Sequence, residues 1–208
     1  MDASNKGADA SVVVLTDGTV TLRPWATHDT WFMAEASADP AIQRFNGTLD
    51  RFGYPAPPMS VEEAEAVISE FTSSWRAFAT SATPGPGAAF AIVDAASDEL
   101  LGCCGLDDWS KSDLVQFGYW IGPRARERGF ASRAATLLTR WLFELGAARV
   151  VLKIVAGNDA SAAVARRAGF VHESTKRSHG VWQGERCDVM LFAALRSEWN
   201  PSARDEAH

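Results

Sequence analysis

The residues with the clearest chemical purpose stand together between Tyr119 and Ala134, in the run Tyr-Trp-Ile-Gly-Pro-Arg-Ala-Arg-Glu-Arg-Gly-Phe-Ala-Ser-Arg-Ala. An apolar stretch that reads as a strand stops at Gly122-Pro123. A loop carrying Arg124, Arg126 and Arg128 follows and runs through Gly129 and Phe130 into helix-forming sequence. Amide groups at a helix N-terminus have no acceptor within the helix and lie at the positive end of its dipole, so they attract anions. Gly129 lets the backbone approach a ligand, Ala131 keeps the next turn uncluttered, and the arginines add charge. The combination suits a pyrophosphate. Ser132 is placed either to donate to a phosphate oxygen or simply to cap the helix.

A lone glycine in a basic loop is more often a plain turn before a surface helix, so the motif needs company. It is not a Walker A loop, because no Gly-Lys-Ser/Thr follows. Nor is it a dinucleotide fingerprint, because glycines are few and no acidic residue ends the next strand. A second group lies downstream: Asn158-Asp-Ala-Ser161, then Val164-Ala-Arg-Arg-Ala-Gly169-Phe170. Asn158 and Ser161 fall at a helix start, where both types also serve as ordinary caps. Arg166 and Arg167 reach a ligand phosphate or face solvent. For proton abstraction the candidates are His179, Asp107, Asp108, Glu173 and His172. His179 has an ordinary pKa suited to the task and precedes the final strand, where substrate contacts are expected, although a single loop histidine is more often merely exposed. Trp109 and Trp182, at predicted loop or strand ends, either wall a second cleft or pack against the core. His28 and His208 carry no assignment.

These groups need elements to hold them. Val12–Leu15 and Val20–Leu22 flank Asp17-Gly18, a hairpin signal. A short helix over His28–Ala36 follows, with Thr27 as its possible cap. Ser60-Val-Glu-Glu63 is a capping box. Behind it Ala64, Val67, Ile68, Phe71 and Trp75 recur at helical spacing. The segments 51–58 and 81–87 are breaker-rich loops. Strands are predicted at Ala89–Asp94, Leu100–Leu106 and Val115–Ile121. A helix over Ala131–Leu145 is stopped by Gly146, and a strand follows at Val150–Val155. Ala160–Ala168 makes a short helix ended by Gly169, and Val189–Leu195 a last strand. The only strand–helix–strand unit is central, which predicts an α+β fold: a mixed, mostly antiparallel sheet flanked by helices.

Composition narrows the function. The 208 residues suit one domain, read as a flexible leader over 1–10, a single domain over 11–200 and a flexible tail over 201–208. A net charge of −6 and a pI near 5.2 argue against nucleic acid as a partner. No apolar run approaches membrane-spanning length and the first residues carry no signal-peptide pattern, so the cytoplasm is the expected compartment. Three cysteines, two of them the adjacent Cys103 and Cys104, form neither a disulfide framework nor a metal-ligand pattern, and no metal is expected. Cys103 and Cys104 sit in a strand pattern and so point to opposite faces.

Arg126-x-x-Gly129-x-Ala131, placed after a strand and before a helix, resembles the phosphate loop of the GNAT superfamily of acyl-CoA N-acyltransferases. The block from Asn158 to Phe170 resembles that superfamily's second acetyl-CoA segment. Leu22-Arg-Pro24, the stretch 88–105, Gly184-x-x-x-Asp188 and Leu195-x-x-Glu198-Trp199 are similar to one branch, the bacterial Rim-type ribosomal-protein alanine/serine N-terminal acetyltransferases, across residues 18–200. The resemblance implies acetyl-CoA as cofactor. It implies contacts from Tyr119, Trp120, Ile121, Arg126, Arg128, Gly129, Phe130, Ala131, Ser132, Asn158, Ser161 and Arg167. A backbone N–H at Trp120 or Ile121 would polarise the acetyl carbonyl. Many superfamily members carry a tyrosine acid where this chain has Ala165, and the Rim-type branch suggests Ser161 instead as donor to the coenzyme sulfur. The acceptor is then a peptide N-terminal amine, with a small amine or antibiotic, or CoA binding without turnover, as alternatives. A homodimer is a further implication.

Overall fold

A computed structural model of the chain describes residues 13–45, 54–81, 87–109, 113–182 and 184–201. The leader over 1–10, the tail beyond Pro201 and parts of both breaker-rich loops lie outside the described residues. A β-hairpin opens the fold, β1 (Leu15–Thr16) and β2 (Val20–Pro24), turning at Gly18 with φ +83°. A 3-10 turn (Thr27–Asp29) leads into α1 (Thr30–Ser37), α2 (Pro40–Phe45) and α3 (Val61–Ser81). Strands β3 (Ala89–Asp94), β4 (Leu100–Trp109) and β5 (Leu114–Ile121) follow, then α4 (Phe130–Glu144), β6 (Arg149–Val155), α5 (Asp159–Arg167), β7 (Val171–Trp182) and β8 (Glu185–Leu195).

The strands form one sheet in the order β1-β2-β3-β4-β5-β6-β8-β7. Every neighbouring pair is antiparallel except β5 and β6, which are parallel and joined through α4. This is the predicted mixed, mostly antiparallel α+β sheet, and the parallel pair falls at the predicted strand–helix–strand unit.

Alternation along the strands sorts side chains into two layers. Phe90, Ile92, Cys104, Leu106, Val115 and Phe117 join Leu138, Trp141 and Leu142 of α4 in the larger core. Ala89, Ala91, Val93 and Cys103 face the other way, against Met33 of α1 and Ala64 and Ile68 of α3. The adjacent cysteines therefore do point to opposite faces. Burial pushes the Cys103 thiol up to about 12 and Cys104 well above its ordinary value.

Local signals explain most boundaries. At the start of α3 the Ser60 N–H donates to Glu63 Oε2 (2.7 Å) and the Glu63 N–H to Ser60 Oγ (3.2 Å), the predicted capping box. Three expectations need correction. Thr27 makes no side-chain cap. Asp29, buried and paired with Arg23 at 2.7 and 3.1 Å, accepts the Ala26 N–H instead. The helix α2 was not anticipated, although Asp39-Pro40 is a start signal: Asp39 accepts the amides of Ala41 and Ile42, and proline stands first in the helix. The segment before the last strand is not a loop but the twelve-residue strand β7 at the sheet edge.

Candidate active site

The central feature is a parting of two strands. β5 pairs with β6 only at Leu114, Val115 and Gln116, opposite Arg149, Val150 and Val151. On its other side β5 stays paired with β4 as far as Ile121, opposite Gly102. Beyond Gln116 the facing edges of β5 and β6 have no strand partner among the described residues, and a cleft of about 460 Å³ opens there. The cleft is lined by Tyr119, Trp120 and Ile121 of β5, by Arg126, Gly129, Phe130, Ala131 and Ser132, and by Asn158, Ser161 and Arg167. Ile42 and Phe45 of α2 complete the wall.

At the mouth stands the N-terminus of α4. Gly129 adopts φ +79°, the left-handed conformation in which a Cβ is strained. The first bond of the helix runs from the Arg133 N–H to the Gly129 carbonyl (3.2 Å), so the amides of Phe130, Ala131 and Ser132 precede the helical ladder. They stand where the sequence reading expects an anion to be met. The arginines are deployed differently from that expectation. Arg126 donates through Nε to the Ile121 carbonyl (3.1 Å) and pairs with Asp39, which fastens α2 to the end of β5. Arg128 lies over the Phe130 ring at 4.7 Å and borders a neighbouring recess instead of the cleft. Arg124 approaches exposed Glu35 at 4.0 Å. Arg167 is the arginine of α5 that lines the cleft, while Arg166 lies over the Phe192 ring at 5.6 Å. The Ser132 hydroxyl donates to the Gly129 carbonyl (2.8 Å), so it closes the helix start.

Across the cleft, Asn158 Oδ1 accepts the Ser161 N–H (3.1 Å) and caps α5. The Tyr119 hydroxyl lies 2.8 Å from Ser161 Oγ and 3.1 Å from the Ser161 carbonyl oxygen. Burial raises the Tyr119 pKa to about 12 against the lowering effect of the Ser161 hydrogen bond. Nothing in the sequence joins these residues, which are 42 positions apart.

On the opposite face of the sheet, Gln116, Gly118 and Trp120 alternate with the side chains that face α4. Gln116 donates to Asp107 Oδ2 (2.9 Å), and a Cβ on Gly118 would lie 3.8 Å from that oxygen. Gly118 thus leaves a bare floor beside the Asp107 carboxylate. Although Asp107 is exposed at the surface, partial desolvation of its carboxyl raises its pKa despite that hydrogen bond and the charge of Lys153, with Asp108 adding to the rise. Trp120 packs near Phe32 and Trp25, at 5.9 and 6.2 Å. Together with Ile42 it borders both the cleft and a recess of about 350 Å³ that also touches Met33, Met59 and Val67.

Residues 19–171 match the family described as the acetyltransferase (GNAT) domain. The chain belongs to the GNAT N-acetyltransferase family. It is 31% identical over 101 residues to the Bacillus subtilis protein named "Putative ribosomal N-acetyltransferase YdaF", a match covering 46% of this chain and 55% of that one. The chain thus spans just over half the length of that curated relative. Solved structures with the same fold include two named for ribosomal proteins. A ribosomal-protein alanine acetyltransferase from Vibrio fischeri superposes with a TM-score of 0.72 at 15% identity, covering 91% of this chain and all 100% of that one. The ribosomal-protein acetyltransferase RimL in complex with coenzyme A gives 0.71 at 20% identity, covering 88% of this chain and 98% of its own.

Against the GNAT pattern, the departure at Ala165 has a structural reading. Ala165 is fully buried in the core, and the tyrosine hydroxyl in the cleft comes from β5. His179 is not brought to this GNAT cleft. It is exposed on β7, on the strand face opposite Gly180 and Trp182. Trp182 stacks on Phe45 of the cleft wall at 6.0 Å, with Arg44 over its ring at 4.9 Å, whereas Trp109 packs against the main core. Glu173 is engaged with Arg149 (2.8 Å), and His172 lies against Phe192 and Thr175. Among the described residues no group of His, Cys, Asp and Glu is placed to hold a metal ion, and no helix is long and apolar enough to cross a membrane.

Proposed function

We propose that the protein is an acetyl-CoA-dependent N-acetyltransferase whose acceptor is the N-terminal amine of a protein or peptide, acting in the cytoplasm. The observation that carries this reading is the parting of β5 and β6 above the unpaired amides of α4. A pyrophosphate fits those amides, the cleft fits a narrow arm, and the free edge of β5 offers backbone groups along its length. Acetyl-CoA supplies a thioester-activated acetyl group, and the protein positions an amine against it.

The backbone N–H at Trp120 or Ile121 polarises the acetyl carbonyl and stabilises the oxyanion as the amine attacks. Ser161 donates a hydrogen bond to the departing sulfur. On the acceptor face Asp107, of the five candidates, acts as the base, because it stands beside the open floor at Gly118 and its pKa is raised towards the range useful for a base. The ribosomal names of the relatives favour a peptide acceptor.

Calorimetry with acetyl-CoA tests the first half of this reading, and absence of binding at high micromolar concentration sinks it. Release of free CoA thiol, measured with a panel of N-terminal peptides and free amines, tests the second half. Peptides carrying Ala or Ser first should support release. Release with free amines alone would replace the acceptor class with small molecules.

A further inference from the structure

We propose that Tyr119 is a positioning residue for Ser161, holding the serine oxygen so that the serine proton is free to point at the cofactor sulfur. The proposal rests on the cleft taking acetyl-CoA. Its basis is a pair of distances: Tyr119 Oη lies 2.8 Å from Ser161 Oγ and 3.1 Å from the Ser161 carbonyl oxygen. Both residues line the same cleft, one from β5 and one from the first turn of α5.

Two hydroxyl protons can be arranged in two ways over these positions. In the first, Ser161 Oγ–H donates to Tyr119 Oη while Tyr119 Oη–H donates to the Ser161 carbonyl. Both protons are then consumed inside the protein. In the second, Tyr119 Oη–H donates to Ser161 Oγ, and the serine proton turns into the cleft. The two differ by rotation of two hydroxyls with no movement of heavy atoms. An acceptor in the cleft selects the second, and an anionic sulfur selects it most strongly, since hydrogen bonds to charged partners are the stronger ones. The Ser161 amide is already held by Asn158, so the serine backbone stays fixed while the hydroxyls reorient.

The pair keeps its protons throughout. Burial holds the tyrosine near 12, whereas a free thiol titrates at about 8.5, so the phenol donates a hydrogen bond without surrendering its proton to a thiolate. The proton lost by the attacking nitrogen goes to Asp107 and from there to solvent, and the thiolate leaves under the serine hydrogen bond and takes its proton from solvent, so the transfer balances without either hydroxyl giving one up. This explains how the site operates with serine, a very weak acid, at the sulfur.

The test is a titration of protein-bound coenzyme A, followed by the ultraviolet absorbance of its thiolate, on the wild type, Tyr119→Phe, Ser161→Ala and the double variant. A donor to the thiolate favours its charged form, so Tyr119→Phe should raise the bound-thiol pKa by roughly one unit. It should lower kcat about tenfold while the Kd for coenzyme A stays within about twofold, because the loss falls on the developing charge and not on ground-state binding. Ser161→Ala should do the same, and the double variant should be no worse than Ser161→Ala alone. An unmoved thiol pKa in a Tyr119→Phe protein that binds coenzyme A overturns the proposal alone, as do effects of the two substitutions that multiply. Absence of binding by the wild type overturns the acetyl-CoA reading and the proposal with it. Should Tyr119→Phe not fold, Ser161→Ala decides by itself: a bound thiol that titrates as in the wild type overturns the proposal.

Discussion

The two halves of β5 are built from the same strand and serve opposite ends. In the lower half, Leu114–Gln116 is flanked by β4 and β6, and Val115 is fully buried. In the upper half, Phe117–Ile121 keeps β4 but loses β6. A paired strand satisfies its backbone and contributes stability. An unpaired edge inside a cleft leaves polar backbone groups that a ligand can satisfy, and each such group left unsatisfied costs about 1–3 kcal/mol. The comparison teaches that stopping a ladder early opens a cleft edged by backbone, with side chains added around the gap.

The comparison can be broken or sharpened by substitution. The largest effect is expected where the halves meet. Asp107→Asn, beside Gln116 and Gly118, should lower kcat/KM by about 10²–10⁴-fold at neutral pH. It should also abolish the acid limb of the pH profile. In the wild type that limb should be displaced upward from the ordinary aspartate position, because desolvation raises the pKa and activity is lost as pH falls through it. An unchanged limb in the variant would remove Asp107 from the role of base.

If the upper half depends on β4 alone, crowding that side should loosen it. A Cβ on Gly102 would lie 2.2 Å from the Trp120 carbonyl oxygen, a backbone atom that cannot yield without moving the strand. Gly102→Ala should therefore cost about 1–3 kcal/mol and lower the melting temperature by roughly 5 °C. A variant that melts with the wild type would mean that the upper half adjusts freely.

The strut from α2 to the end of β5 should matter less. Asp39→Ala removes both the cap of α2 and the partner of Arg126, at about 0.5–2 kcal/mol. Burial pushes the Asp39 pKa up, but Arg126 and the amides of Ile42 and Ala41 outweigh it and hold the carboxyl below its ordinary value. Its contribution is thus complete above the ordinary carboxylate pKa and is lost as pH falls through the depressed one. Denaturant melts of wild type and variant should accordingly converge in acid. The smallest effect is expected at His179, exposed on β7 and outside the cleft: His179→Ala should leave kcat/KM within about twofold. A larger loss would bring the β7–β8 hairpin into the chemistry.

The readable parts of the sequence were those with local causes. α3 announces itself through the Ser60–Glu63 box, and α4 through its apolar face between Gly129 and Gly146 and the glycine that precedes it. β7 was missed because Val171–Trp182 is exposed along most of its length, so it lacks the period-two apolar pattern by which strands are recognised. α2 carried a signal in Asp39-Pro40 that is too short to stand out without its packing. The point where β6 leaves β5, the diversion of Arg126 to Asp39 and the meeting of Tyr119 with Ser161 are properties of tertiary placement. No spacing along the chain encodes them. The chemistry of His179 is legible in the sequence, whereas the bare floor at Gly118 beside Asp107 is made by the pairing of β4 with β5.

The cysteines, noted above only for the faces they occupy, have a practical consequence. The thiolate is the species that reacts with alkylating reagents, and Cys103 and Cys104 are both buried with their pKa values pushed far above neutrality. Cys187, half-buried on β8 opposite Gly180, is the remaining thiol. A maleimide dye should attach there alone, and the hairpin would then carry a single reporter beside the strand whose tip rests on the cleft wall.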